Sequence, residues 1–178
     1  MNTTKVKIST DNLLIRSTSL EDKNDIFREF TDEITTHMFP KPAETIDETI
    51  DFITSSIKEN REGSNFQVTV VKKDTNEFLG CGGLHNTETR TPEFGIWLKK
   101  SAQGSGFGKE AIVALKEWAD ENLEFDYLLY PVAEDNVPSR KIPESLGGVM
   151  MREYDEVNMS GMEQHIMEYR IYPQARKR

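Results

Sequence analysis

Cysteine is almost absent: among 178 residues only Cys81 carries a thiol. No internal disulfide can form, and such a chain is expected in a reducing compartment, the cytoplasm. Long hydrophobic runs are missing too. None approaches the roughly 20 residues that span a bilayer, and the polar start Met1-Asn2-Thr3-Thr4-Lys5 leads into no signal-type apolar segment. Positive charge is scarce: 22 Lys and Arg against 31 Asp and Glu leave a net −9. That balance argues against nucleic acid as the main partner and leaves cationic partners open. No repeat, low-complexity segment or linker interrupts the chain, so residues 1–178 read as one domain, long enough for a real core.

What is present centres on Gln103-Gly104-Ser105-Gly106-Phe107-Gly108-Lys109-Glu110-Ala111, which holds three of the 11 glycines. A strand-like run, Phe94-Gly95-Ile96-Trp97-Leu98, precedes it, and an amphipathic run from Ala111 to Leu123 follows. Strand, glycine loop and helix together bind phosphate. Glycines let the backbone approach an anion, the free amides of the first helical turn point at it, and the helix dipole favours its charge. A Walker A loop is excluded, because Gln103 stands where its first glycine belongs and Glu110 where its Ser or Thr belongs. The dinucleotide fingerprint G-x-G-x-x-A fits Gly106, Gly108 and Ala111, but its acid should close the next strand, and Asp126 opens the next apolar run. The pattern Q/R-x-x-G-x-G/A fits Gln103, Gly106 and Gly108. A flexible turn with a helix cap is the plain alternative.

In chain order, Leu13–Arg16 reads as a strand. Ser19 caps a helix carrying Ile26, Phe27 and Phe30 on one face, which His37 to Pro42 breaks. Thr45 and Glu48 form a capping-box pattern ahead of a helical stripe, Ile46, Ile50, Ile53 and Ile57. Phe66, Val68 and Val70 alternate with Gln67 and Thr69 as in a half-buried strand. Asp74-Thr75-Asn76 is a turn, Phe78 to Leu84 a glycine-rich strand, and Phe94 to Leu98 ends the meander. Ile112, Leu115, Trp118, Ala119 and Leu123 share a helix face. Tyr127–Val132 is a strand and Asn136–Leu146 a helix ended by Gly147-Gly148. Val149–Asn158 and Glu163–Tyr172 form a hairpin across Met159-Ser160-Gly161-Met162.

With these elements in place, the glycine loop resembles the acetyl-CoA pyrophosphate loop of the GNAT superfamily of N-acetyltransferases. Cys81-Gly82-Gly83-Leu84 resembles that family's third strand. Pro92-Glu93-Phe94-Gly95-Ile96-Trp97-Leu98 resembles the "A-E-I-G-Y-W-L" strand of its ribosomal-protein N-terminal (RimJ/RimL-type) branch. Asn136-Val137-Pro138-Ser139 with Glu144-Ser145-Leu146-Gly147 resembles that branch's "N-x-x-S…E-K-L-G". The resemblance covers most of the chain. It implies an α+β fold whose mixed, mostly antiparallel sheet splays between the family's fourth and fifth strands, flanked by helices. It implies acetyl-CoA as co-substrate, no metal, and direct transfer to a primary amine. The acceptor expected is a protein N-terminus, with a small cationic amine (polyamine or aminoglycoside) as the alternative. From another class, a CoA-binding regulator without turnover stays open, as does monomer against homodimer.

The resemblance assigns cofactor binding to Trp97, Leu98, Gln103, Gly104, Ser105, Gly106, Phe107, Gly108, Lys109, Asn136 and Ser139. Chemistry then adds its own demands. A cationic amine attacks only after losing a proton, the thioester oxygen needs a donor, and the leaving thiolate can take a proton. Glu93 opens the strand where relatives place the proton acceptor; a surface carboxylate after a loop is its bland reading. His85 is the runner-up and a polar turn residue otherwise. His37 could line the acceptor site, while His165 is structural. Cys81 reads as a small buried residue. Many relatives hold a proton-donating Tyr seven residues after the Asn, but Pro143 stands there, so that helix is short, kinked or 3₁₀-like and the Tyr role is not carried over. The branch's serine, here Ser139, is the candidate donor, or else a first-turn residue satisfying backbone. Lys99, Lys100, Lys109, Arg140 and Lys141 flank the cofactor motifs and could meet phosphate. From Leu20 to Glu62, 12 acids face five bases, a net of −7, on helices that form much of the acceptor wall in the family fold.

Overall fold

A computed structural model describes residues 1–174; the four residues beyond, included in the single-domain reading, lie outside it. Eight strands form one sheet in the order β1-β2-β3-β4-β5-β6-β8-β7. They are β1 Lys7–Ser9, β2 Leu13–Ser17, β3 Phe66–Lys72, β4 Phe78–His85, β5 Glu93–Leu98, β6 Leu128–Ala133, β7 Val149–Val157 and β8 Glu163–Ile171. Every neighbouring pair is antiparallel except β5 and β6. Helices α1 Lys23–Glu29, α2 Asp32–Thr35, α3 Ile46–Glu62, α4 Phe107–Asn122 and α5 Val137–Ser145 complete the chain. Contacts run from α4 and α5 to β2, β5, β6 and β8, and from α1 and α3 to β3 and β4.

Strand alternation sorts the side chains between the two faces. Phe66, Val68 and Val70 of β3 and Phe94 of β5 meet Ile112, Leu115 and Trp118 of α4 in the larger core. Ile26, Ile53, Phe78 and Cys81 form a smaller core under α1 and α3, with Ile57 and Trp97 packed against it. Two helices therefore cover the face expected to be wet along β3, and Gln67 and Thr69 are buried. The Gln67 backbone and the Thr69 hydroxyl find partners: Gln67 N–H donates to Asn60 Oδ1 at 2.7 Å, and Thr69 Oγ1 donates to Asp22 at 2.9 Å. Asp22 also receives both terminal nitrogens of Arg16, at 2.9 and 2.7 Å. Burial would push this carboxyl up, but the Arg16, Ser19 and Thr69 bonds outweigh it and hold the pKa low.

Several expectations need amendment. Ser19 begins a 3₁₀ turn, Leu20–Asp22, ahead of α1. Of the helix face read from sequence, Ile26 is buried but Phe27 is 38% exposed. The Thr45 oxygen accepts from Glu48 N–H at 3.4 Å as a cap should. The Glu48 carboxylate reaches back to Glu44 N–H instead of Thr45, so the box closes one residue early. On α3 only Ile53 of the isoleucine stripe is fully buried; Thr49, Ser56 and Asn60 share the inward face. Two elements were unanticipated, the three-residue edge strand β1 and the single-turn α2.

Candidate active site

The β5–β6 ladder consists of one pair, Glu93 with Leu129, in which Leu129 N–H donates to Pro92 O at 2.8 Å. Past that pair the strands diverge. Lys99 N–H bonds to Leu79 O on β4, so by strand alternation Ile96 and Leu98 turn their N–H and C=O groups toward β6, where pairing has ended. A wedge lined by unused backbone thus opens toward the C-terminal ends of both strands. The Leu98 carbonyl takes a bond from Gln103 Nε2 at 3.1 Å, which ties the glycine loop to its rim.

The loop leads straight into α4. Gly106 is the N-cap at φ +82°, a left-handed conformation that glycine adopts without strain. A side chain there would meet no protein atom within 4 Å, nor would one at Gly104. The first helical bond runs from Glu110 N–H to Gly106 O at 3.0 Å, leaving the amides of Phe107, Gly108 and Lys109 aimed out of the helix end. Open space over glycine backbone beside free amides fits a pyrophosphate, and the wedge beside it fits a pantetheine arm. Two of the assigned residues are located more narrowly. Gly108 lies within the helix at ordinary φ, and a Cβ there would make normal contacts at 3.6 Å with Leu98 and Ile142. Trp97 sends its ring to the opposite sheet face, 4.8 Å from the Phe30 centroid, so the wedge backbone comes from Ile96 and Leu98.

Among the flanking cations, Lys99 is engaged by Glu77 and Lys100 by Glu33, at 2.8 and 2.6 Å. Arg140 donates to the Glu134 carbonyl. Lys109 borders a hollow next to Thr10 and Glu117, on the β1–β2 side of α4, and Lys141 is exposed. Across the wedge, Asn136 caps α5 by accepting from Ser139 N–H at 3.3 Å, which leaves its side-chain N–H₂ to donate. Ser139 Oγ lies 2.9 Å from the Tyr130 hydroxyl. Burial, only partly opposed by that bond, pushes the Tyr130 pKa up to about 12. The pair was not anticipated; Tyr130 read only as an apolar strand residue. Pro143 is inside α5, which ends within one turn. The Pro143 carbonyl accepts from Leu146 and Gly148 N–H, with Gly147 at φ +72°.

Glu93 sits at the vertex, half-buried. Burial first, then the carboxylates of Glu168 and Glu156, raises its pKa above the usual glutamate range. His85 is its cross-strand partner on β4, not a turn residue. Burial lowers the His85 pKa, against the pull of Glu59, which favours a neutral ring. His85 lines a cavity of about 340 Å³ between the sheet and helices α1 and α3, together with Gly95 and Trp97; Glu93, two residues from Gly95, is on the same sheet face but outside that lining. His37 is exposed and is not in that lining. His165 forms surface pairs with Asp155 and Glu153 at 2.7 and 3.6 Å. Cys81 is buried, and burial pushes its thiol well up, so it supplies no thiolate. No cluster of three or more metal-ligating side chains occurs among the described residues.

Comparison with known proteins agrees with this geometry. A family model described as an acetyltransferase (GNAT) domain matches residues 12–149. An uncharacterised N-acetyltransferase of Bacillus licheniformis, p20, is 26% identical over 153 residues, covering 83% of this chain and 86% of that one. Among solved structures, spermidine N-acetyltransferase from Vibrio cholerae, in complex with CoA and spermine, superposes with a TM-score of 0.80 at 20% identity, over 92% of this chain and 96% of that one. An acetyltransferase from Salmonella typhimurium that modifies the N-terminal serine of a 50S ribosomal subunit protein gives 0.82 at 14%, over 95% and 100%. The wedge, the glycine loop and these matches lead to one assignment: the chain belongs to the GNAT family of acetyl-CoA-dependent N-acetyltransferases.

Proposed function

We propose that this enzyme transfers acetyl directly to a primary amine within a ternary complex, and that the acceptor is a protein N-terminus of the ribosomal-protein type. One observation carries the mechanism: a half-buried carboxylate of raised pKa, Glu93, stands at the β5–β6 pair where the wedge begins. Acetyl-CoA supplies an electrophilic thioester carbonyl. Glu93 accepts the proton of the attacking ammonium, directly or through a water; a raised pKa makes its ionised form a better acceptor. The Ile96 amide is placed to donate to the developing oxyanion. As the C–N bond forms and the C–S bond breaks, Ser139 donates its proton to the sulfur, and the second proton released by the acylated nitrogen, carried by water, restores the Ser139 hydroxyl. The hydrogen bond shared with the Tyr130 hydroxyl fixes the position of Ser139 Oγ.

The net −7 between Leu20 and Glu62 favours a second reading, a small cationic amine. Thiol release in the presence of an N-terminal peptide panel, polyamines and aminoglycosides separates the two, and separates both from a CoA-binding regulator. Glu93→Gln should lower kcat roughly 10²- to 10⁴-fold while acetyl-CoA affinity stays unchanged. The loss should shrink as pH rises and free amine becomes abundant. An unaltered pH–rate profile removes Glu93 from the mechanism.

A further inference from the structure

The cavity on the α1–α3 face is built of apolar surface. Phe27, Phe30, Phe52 and Trp97 contribute rings, and Met38 and Met159 thioethers. Two tethers roof it: Met159 N–H donates to Phe39 O at 2.9 Å, and Asn158 Nδ2 to Met38 O at 3.2 Å. The floor is β5 backbone at Gly95, where a Cβ would stand 3.0 Å from His85 Nε2. Glycine there keeps the floor clear on the side of Glu93, which stands two residues away on the same face, outside the lining.

The charges in this lining are few. His85 and Cys81 are kept neutral by burial. Glu48 and Lys41, both exposed at the rim, carry opposite signs. Glu44, Asp47 and Asp51 are exposed and outside the lining. Outside the lining, Glu168 and Glu156 lie near Glu93, but a further ammonium seated inside the cavity itself would stand against aromatic walls with only the rim carboxylate of Glu48, at a high desolvation cost. An amine whose only charge meets Glu93 leaves the walls free for an apolar group. At about 340 Å³ the cavity lies at the small end for ligand sites, enough for one compact substituent.

We propose that the acceptor is a monocationic primary amine with a bulky apolar group, aromatic or thioether, two or three carbons from the nitrogen, and that this cavity takes that group. The inference rests on the reading of the β5–β6 wedge as the transfer site. The same chemistry is offered by a free arylalkylamine or by a peptide whose first residue is Met or Phe.

The test uses the full chain with CoA bound. Amine binding is followed by tryptophan fluorescence, since Trp97 is in the lining, and turnover by thiol release with acetyl-CoA. Phenethylamine and peptides beginning with Met or Phe are compared with ethylamine, spermidine and peptides beginning with Ser. The apolar group should raise affinity and kcat/KM roughly 10- to 100-fold over the small or polycationic amines. Whether free amine or peptide ranks first identifies the source. The double substitution Phe27→Ser and Phe52→Ser, at partly exposed positions, should erase most of that preference while calorimetric acetyl-CoA binding is retained. Preferential binding without turnover upholds the cavity and fails the transfer reading. Turnover that favours spermidine or the Ser peptide, or no preference in either readout, overturns the cavity assignment.

Discussion

At the scale of single residues, the carboxylates around Glu93 are the adjustable part. Glu168 on β8 disfavours its ionised form and so helps to raise its pKa. Removing that charge by Glu168→Gln should lower the Glu93 pKa, and the acid limb of the kcat/KM profile should move to lower pH with the plateau preserved. A limb that stays in place would mean that another group titrates there. Glu93 itself was visible in the sequence because it opens a recognisable strand. Tyr130 and Gly95 were not assigned site roles, and His85 was only the runner-up to Glu93, since each acquires its part only across the sheet. Tyr130 meets Ser139 through the β6–α5 connection, and His85 meets Glu93 through the β4–β5 register. Trp97 was placed on the cofactor side because its strand carries the motif, yet pleating alone decides which face an odd or even position serves.

At the scale of elements, the loop-to-helix junction makes the sharpest claim. Gly106→Val has room for its side chain within the protein, so the cost to the fold is confined to a strained φ. Acetyl-CoA binding should be lost in calorimetry while the far-ultraviolet circular dichroism and cooperative unfolding persist. Binding at the parental level would show that the helix end is not the phosphate site. Most elements were legible here because they obey a local period or a local cap: the stripe of α4, the turn at Asp74-Thr75-Asn76, the closing hairpin. What escaped was short or non-local. The edge strand β1 has three residues and no apolar pattern. The start of α4 was hidden by Gly108 inside its first turn, so the amphipathic run appeared to begin at Ala111. The roof of the cavity joins Asn158 to Met38 across 120 positions. That meeting depends on β8 inserting between β6 and β7, which no local pattern encodes.

At the scale of the molecule, the charge map and the cavity address different stages of one encounter. The acids of Glu44, Asp47 and Asp51 are exposed, so they act on approach, over a Debye length of about 8 Å at physiological ionic strength. For a peptide acceptor with basic residues after its first, kcat/KM should fall as salt rises, with acetyl-CoA binding following a different trend. Reversing those three charges together should weaken acceptor capture more than cofactor capture. Efficient use of an acidic acceptor without salt dependence would reduce the acidity to a solubility device. A last consequence belongs to the single β5–β6 pair. The sheet is two half-sheets sewn by one stitch, and that stitch is at Glu93. Ligand seated in the open seam would then act as a second fastening, gripping both halves at once. The residue proposed to move the proton is also the pin of that seam: its side chain can be altered with the backbone stitch intact, whereas a slip of the stitch by one residue would turn the carboxylate to the other sheet face.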